Sequence, residues 1–322
     1  MNLEEYKNEI GNILETMALN GGNEEVLSKI SQSKGSIEDY YAAHYTRAHT
    51  PRKMLKSSND NMMLQFDGDY MNDPEEGRYL VDVMISAAEN CTHQHKSKFI
   101  EKLTALRNSN LLYSAYKQAT FLSCWTIIKV KKGSEEEADS LNHWRFYGDD
   151  GKGACIMVPL SNLLSIFNKS LYKVSYGIES RGGGEKSNDR AVKKLENAFQ
   201  LRLNNLRKSL PNAIIDFSEV IKETHPLLFL FKSSDYSAEE EVRSIVHKAD
   251  YSSKSDVLFM GNEENPDVPK KAYIKGNPGL ICNNSIIFFG PKADEKFAIE
   301  TMGLACELGI DLKVFISNKP YR

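Results

Sequence analysis

The sequence predicts an α+β fold with a mainly antiparallel sheet. Runs rich in β-branched and aromatic residues, at Gln118–Ile128, Gly153–Val158 and Ser285–Phe289, read as strands. Elsewhere apolar residues recur at helical spacing, as in Leu3, Tyr6, Ile10, Ile13, Leu14 and Met17. Strands and helices do not alternate as βαβ units, which argues for an antiparallel rather than a parallel sheet.

From the N-terminus, the first stripe breaks at Gly21–Gly22 and a second short helix follows near Glu24–Ile30. Residues 1–40 are therefore expected to be a helical N-terminal extension to a domain over 41–322. Ser36 with Asp39 fits an N-cap signature, for a helix ending near Ala43. Pro51 suits the first turn of the next helix. A short strand at Met62–Phe66 precedes the turn Asn72-Asp73-Pro74. Glu75–Glu76 then open a helix carrying Leu80, Val83 and Met84, and Ser97–Leu106 is helical again.

After the strand at Gln118–Ile128, Ser140–Tyr147 is a short helix ended by the turn Gly148–Gly151. Tyr172–Tyr176 is a further strand, and Arg181–Asp189 reads as a loop. Arg190–Lys222 is helical except at Pro211. The last third adds strands at Ala272–Lys275 and Leu312–Ile316, with a helix over Asp294–Leu308 between them.

At 322 residues and a net charge of −3, the chain carries no global signature of nucleic-acid or membrane binding. The basic run Arg190–Lys208 is interleaved with acidic and polar residues and reads as a solvated helix face. Five scattered cysteines, an odd number without a CxxC pair, imply reduced thiols. The start is acidic rather than basic and then apolar, so no signal peptide is expected, and no apolar run has bilayer length. A cytoplasmic setting follows, in a bacterium or in a host cytosol.

P-loop, Rossmann, HExxH and GxSxG signatures are all absent from the sequence. Cys91, His93 and His95 lack a second cluster to complete a metal site and read as an exposed polar loop. Phe231–Lys248 is the most informative stretch. As a strand it places Glu239, Glu241 and Arg243 on one face and Val242 and Val246 on the other. A helix over Ala238–Lys248, with Val242, Ile245 and Val246 inward, fits the same residues equally well. Other polar and aromatic groups gather at element ends: His44-Tyr45-Thr46, Asn72–Glu75, and Trp144, Tyr147, Gly148 and Gly153 around a tight bend.

The order of these motifs resembles a bacterial family of unknown function, common near abortive-infection and toxin genes and grouped with ADP-ribosyltransferase-like folds. The matching pieces are HYT at His44–Thr46, MNDPEEG at Met71–Gly77, FLSCWT at Phe121–Thr126 and SLNHWRFYGDDGKGACIMV at Ser140–Val158. They continue with KVSY at Lys173–Tyr176, FK…YSAEEEVRSI from Phe231, IIFFGPK at Ile286–Lys292 and ISNKPYR at Ile316–Arg322. The resemblance covers about residues 41–322.

It implies a split antiparallel β-sheet with flanking helices around an NAD cleft. NAD would be the substrate and no metal would be needed. By motif, His44 would hydrogen-bond the NAD ribose and nicotinamide amide, with Tyr45 and Thr46 beside it. Glu241, with Glu239 as the alternative, would anchor the nicotinamide ribose. Tyr70, Trp144 and Tyr147 all qualify as the aromatic that stacks on nicotinamide, and Asn72 would line the same site. Arg243 would contact the cofactor or pair with Glu239 to fix the strand.

Cleaving the nicotinamide–ribose bond gives an oxocarbenium-like transition state, which a carboxylate on the ribose stabilises more than the ground state. The implied activity is mono-ADP-ribosyl transfer to a macromolecule by a toxin or effector. A protein acceptor is favoured over RNA or DNA by the acidic balance, and an antitoxin is a possible partner. An NAD glycohydrolase, or a non-catalytic module that binds a nucleotide or partner, is the alternative.

Overall fold

In the computed structural model, which describes residues 1–30, 35–56, 59–71, 75, 77–109, 118–177, 190–261 and 268–320, the chain is α+β and its sheet is mostly antiparallel and open. Helices α1 (Leu3–Met17) and α2 (Asn23–Ile30) precede β1 (Tyr40–Thr46), α3 (Thr50–Met54), β2 (Met62–Asp67), α4 (Arg78–Glu89), α5 (Lys96–Arg107) and β3 (Ala119–Lys129). The middle of the chain supplies α6 (Leu141–Phe146), β4 (Ala154–Pro159), α7 (Leu160–Phe167), β5 (Leu171–Lys173), β6 (Ser175–Tyr176), α8 (Arg190–Asn204) and α9 (Leu210–Thr224). The last part holds β7 (Phe231–Lys232), β8 (Glu241–Lys248), β9 (Leu258–Met260), β10 (Lys271–Pro278), β11 (Ser285–Phe289), α10 (Lys296–Glu307) and β12 (Leu312–Ile316).

Two compact units result, and they do not divide at residue 40. The first comprises Met1–Ala18, Phe66–Leu122 and Tyr172–Ile274. Its helices pack in a cluster: α1 lies against α8 and α9, and α4 against α5 and α8. Asn2 caps α1 through a reciprocal pair with Glu5, whose amide donates to Asn2 Oδ1 at 2.9 Å. The Tyr6 and Thr224 hydroxyls, both buried, are joined at 2.7 Å. Hence α1 is part of this unit's core rather than a separate extension. The strand portion pairs Phe66 and Asp67 of β2 with Leu122 and Phe121 of β3, and β9 with β10, all antiparallel. Strand β8 pairs with β3 and β5, while β6 and β7 form a short parallel pair. Ala119, Phe121, Val257, Ala272 and Ile274 form the apolar layer beneath them.

The second unit comprises Leu19–Gln65, Ser123–Leu171 and Lys275–Arg322. Its strands run in the order β12-β11-β4-β1-β3, antiparallel except for the parallel pair β11–β12. All five residues of β11 and the first five of β4 are buried, as expected of central strands covered on both faces. Helix α7 packs on β1 and β4, and α10 on β12 and α3.

Three local expectations change. The helix expected from Ser36 to Ala43 is only a 3-10 turn at Ile37–Asp39, after which Tyr40 begins β1. Pairing of β1 with β3 on one side and β4 on the other outweighs the helical preference of Ala42–Ala43. The strand over Tyr172–Tyr176 breaks at Val174, whose amide donates to the Glu241 carbonyl at 3.0 Å. Helix α7 was hidden behind the apolar run of β4: Pro159 ends the strand, and Leu160, Leu163 and Phe167 then bury a helical face. Pro211 lies in the first turn of α9, so the break in the long helical region falls just before it. The loop at Arg181–Asp189 lies outside the described residues. Among the described residues no helix is long and apolar enough to cross a membrane.

Candidate functional site

The stretch from β7 to β8, within the first unit, brings four charged side chains together. Strand β7 pairs Phe231 with Ser175 and Lys232 with Tyr176, which carries the Lys232 side chain into a buried position at the end of an apolar run. A 3-10 segment, Ser234–Glu239, follows. Glu240 then takes a left-handed conformation (φ 44°, ψ 46°), unusual for a residue with a side chain. Such a turn costs energy and persists only where its surroundings fix it. Here it reverses the chain so that β8 starts at Glu241.

The reversal brings Glu239 and Glu241 onto one cation. Lys232 Nζ donates to Glu239 Oε2 at 2.8 Å and to Glu241 Oε2 at 3.1 Å. Arg243, two residues along β8 and on the same face as Glu241, donates from Nε and Nη2 to its two carboxylate oxygens, each at 2.9 Å. Arg243 Nη1 also reaches the Phe229 carbonyl at 2.7 Å. The Glu241 amide donates to the Tyr176 hydroxyl at 2.9 Å. Burial and the Glu241 charge push the Tyr176 phenol above its usual range, so it remains protonated. Lys232 Nζ sits over the Tyr236 ring, 4.9 Å from its centroid.

Exposure separates the members of this quartet. The side chain of Arg243 is 0% exposed and that of Glu241 7%, whereas Glu239 retains 16%. Glu239 is therefore the carboxylate best able to meet a ligand, and Glu241 is committed to two cations. This corrects the expected geometry in two respects. Glu239 is not on the strand with Glu241 and Arg243, and the Arg243 fork grips Glu241. Arg243 is also too buried to contact a cofactor.

In the second unit, His44, Tyr45 and Thr46 lie on β1. The half-buried His44 has its Nδ1 2.9 Å from the Cys124 carbonyl and its ring 5.2 Å from that of Trp125. Burial holds His44 below its ordinary pKa. The neutral ring donates from Nδ1, leaving Nε2 as an acceptor. Thr46 Oγ1 pairs with Thr50 Oγ1 at 3.1 Å.

Tyr45 and Trp144 are brought together, but as core. Their rings meet edge to face at 4.9 Å, and Tyr45 stacks on His143 at 5.1 Å. The Tyr45 hydroxyl accepts the Ser140 amide at 2.9 Å. Trp144 is 0% exposed, and its indole N–H donates to the buried Asp139 at 2.7 Å. Neither ring offers a face to nicotinamide, which corrects the stacking role for Trp144 and the cofactor contact for Tyr45. Gly148 explains part of this packing: a Cβ there would come within 2.4 Å of the Trp144 ring.

Tyr147, in contrast, is 47% exposed beside Phe146, and Tyr70 of the first unit is half-buried. Asn72 lies outside the described residues. The expected exposed loop at Cys91–His95 instead buries Cys91 and His93. Among the described residues no group of three or more His, Cys, Asp or Glu side chains is placed to hold a metal ion. Lys232 and Tyr176 lie in the matching pieces FK and KVSY but were assigned no site role; a lysine closing the apolar run Leu227–Phe231 is a further signal for the first.

A family model described as "Protein of unknown function (DUF2971)" matches residues 143–244, a span that includes Trp144, Tyr147, Lys232, Glu239, Glu241 and Arg243. Comparisons with curated proteins and with solved structures returned no match.

Proposed function

We propose that the chain is an NAD-dependent mono-ADP-ribosyltransferase, of toxin or effector type, acting on a macromolecule. The observation that supports this best is the convergence of two glutamates, Glu239 and Glu241, on Lys232 at the head of β8. A partly exposed carboxylate whose position is fixed by a buried ion network is what ribose recognition at an oxocarbenium-like centre needs. In this reading Glu239 is the carboxylate that touches the ribose. Glu241 is a positioning residue, because it holds Lys232 and Arg243. Within the same unit the half-buried Tyr70 takes the place of Trp144 as the stacking ring. A protein acceptor remains favoured on overall charge.

The test is nicotinamide release from NAD, with and without bacterial lysate, by the wild type and Glu239→Gln. Release that needs both lysate and Glu239 is the expected result, with mass spectrometry then identifying the acceptor. Release without lysate points to a glycohydrolase. Absence of release under all conditions would overturn the enzymatic reading. One observation favours a second reading, a module that binds a nucleotide or partner without turnover: Glu241 is buried and already held by two cations. That reading expects NAD affinity to be indifferent to Glu239→Gln.

A further inference from the structure

A second polar cleft lies in the first unit, lined by Asp67, Asp69, Gln118, Thr120, Phe229 and Tyr251 among others. It is small, with room for a water-sized group. Asp67 ends β2 and turns the chain by accepting the Asp69 amide on Oδ1 at 2.8 Å. Gly68 between them allows the Phe229 ring to press against the turn; a Cβ at that position would come within 2.3 Å of it. The two aspartates are thus held in place by packing.

Asp67 is 2% exposed, yet among the described residues its Oδ2 has no hydrogen-bond partner. Burial pushes its pKa up to about 6, a rise tempered by the nearby Tyr251 hydroxyl. At neutral pH the group is thus largely a buried anion. A buried carboxylate without a cation is costly, and a ligand that supplies one removes that cost. The imidazole at the cleft adds no positive charge. His225 shares Thr120 Oγ1 with His247, at 3.1 Å to each ring nitrogen, and burial with His247 beside it pushes His225 down to about 3.

We infer that this cleft is a binding site for a primary ammonium group. An ammonium carries its charge on a few N–H donors, and Asp67 Oδ2, the Asp69 carboxylate and the Gln118 carbonyl are oxygen acceptors of the kind it needs. The Phe229 and Tyr251 rings suit both a cation and the first methylene behind it. A quaternary ammonium is too bulky for a water-sized space. The inference is independent of NAD chemistry. The same headgroup comes from free ammonium or from a lysine side chain of another macromolecule.

The experiment is thermal melting of the full chain in methylammonium, potassium or tetramethylammonium chloride at equal concentration and pH 7.5. Methylammonium is expected to raise the melting temperature above the other two salts, saturably. Asp67→Asn should abolish the increment, Tyr251→Phe should shift its midpoint several-fold upward, and Glu239→Gln should leave it intact. Equal melting in the three salts, or an increment that survives Asp67→Asn while Tyr251→Phe has no effect, overturns the site. Comparing ammonium chloride with Nα-acetyl-lysine amide then assigns the source, since the tighter of the two identifies it.

Discussion

Glu241→Gln gives the sharpest test of the charge network. The substitution preserves shape but removes the anion that holds Arg243 by two bonds of 2.9 Å and Lys232 by one of 3.1 Å. Arg243 is completely buried, and its Nη1 also donates to the Phe229 carbonyl. Removing one partner of a buried ion pair costs about 3–5 kcal/mol, because the other charge is left uncompensated. Glutamine still offers one carbonyl oxygen, so about 3 kcal/mol is expected. At about 2–4 °C per kcal/mol for a large domain, the melting temperature should fall by about 6–12 °C. Circular dichroism melts of the wild type and variant measure this directly. Adding Arg243→Met to Glu241→Gln should recover part of the loss, since the buried positive charge is gone. A single variant within about 0.5 kcal/mol of wild type would show that this ion pair is not formed in solution, and with it would fall the argument that Glu241 is unavailable for catalysis.

Other expectations follow from the same contacts. Trp144→Phe removes the donor to buried Asp139 and should cost about 1–3 kcal/mol while leaving NAD affinity unchanged; weaker NAD binding at unaltered stability would restore a stacking role. The raised pKa of Asp67, about 6 against 3.8, means its stabilising contribution is full below pH 3.8 and is lost as pH rises through 6. Asp67→Asn should therefore gain up to about 3 kcal/mol over wild type at pH 8, a difference that disappears by pH 4, in melts followed across that range. His225, with its pKa depressed to about 3, contributes the opposite slope below pH 6.5 in both proteins and cancels in the comparison.

Much of the fold was legible because local pattern and tertiary packing agree. The stripe from Leu3 to Met17 became α1 with its Asn2 cap, and the β-branched and aromatic runs became β3, β4 and β11. The failures occur where they disagree. Tyr40–Thr46 contains two alanines after a capping signature, yet partners on both sides make it a strand, and those partners lie about eighty or more residues away. Leu160–Phe167 continues an apolar run, so periodicity alone could not separate strand from helix. The membership of α1 in one unit and α2 in the other depends on contacts with α8 and α9 that no local window contains.

The candidate site shows the same division between residue type and surroundings. Alternation along a strand correctly put Glu241 and Arg243 on one face, since they are two apart on β8. It could not show that Glu240 would turn left-handed, nor that Lys232 would join Glu239 to Glu241 across that turn. Sequence also assigns Trp144 and Tyr147 equal standing, although one is sealed by Asp139 and Tyr45 and the other is exposed. These surroundings decide which glutamate can act. To meet a ribose, Glu241 would have to release a buried guanidinium, at a cost of the several kcal/mol that the pair now avoids. Glu239 need only loosen a partly exposed bond to Lys232, which Glu241 continues to hold. On energetic grounds the carboxylate nearer the solvent is the one to test for catalysis, and the buried one explains why it stays in place.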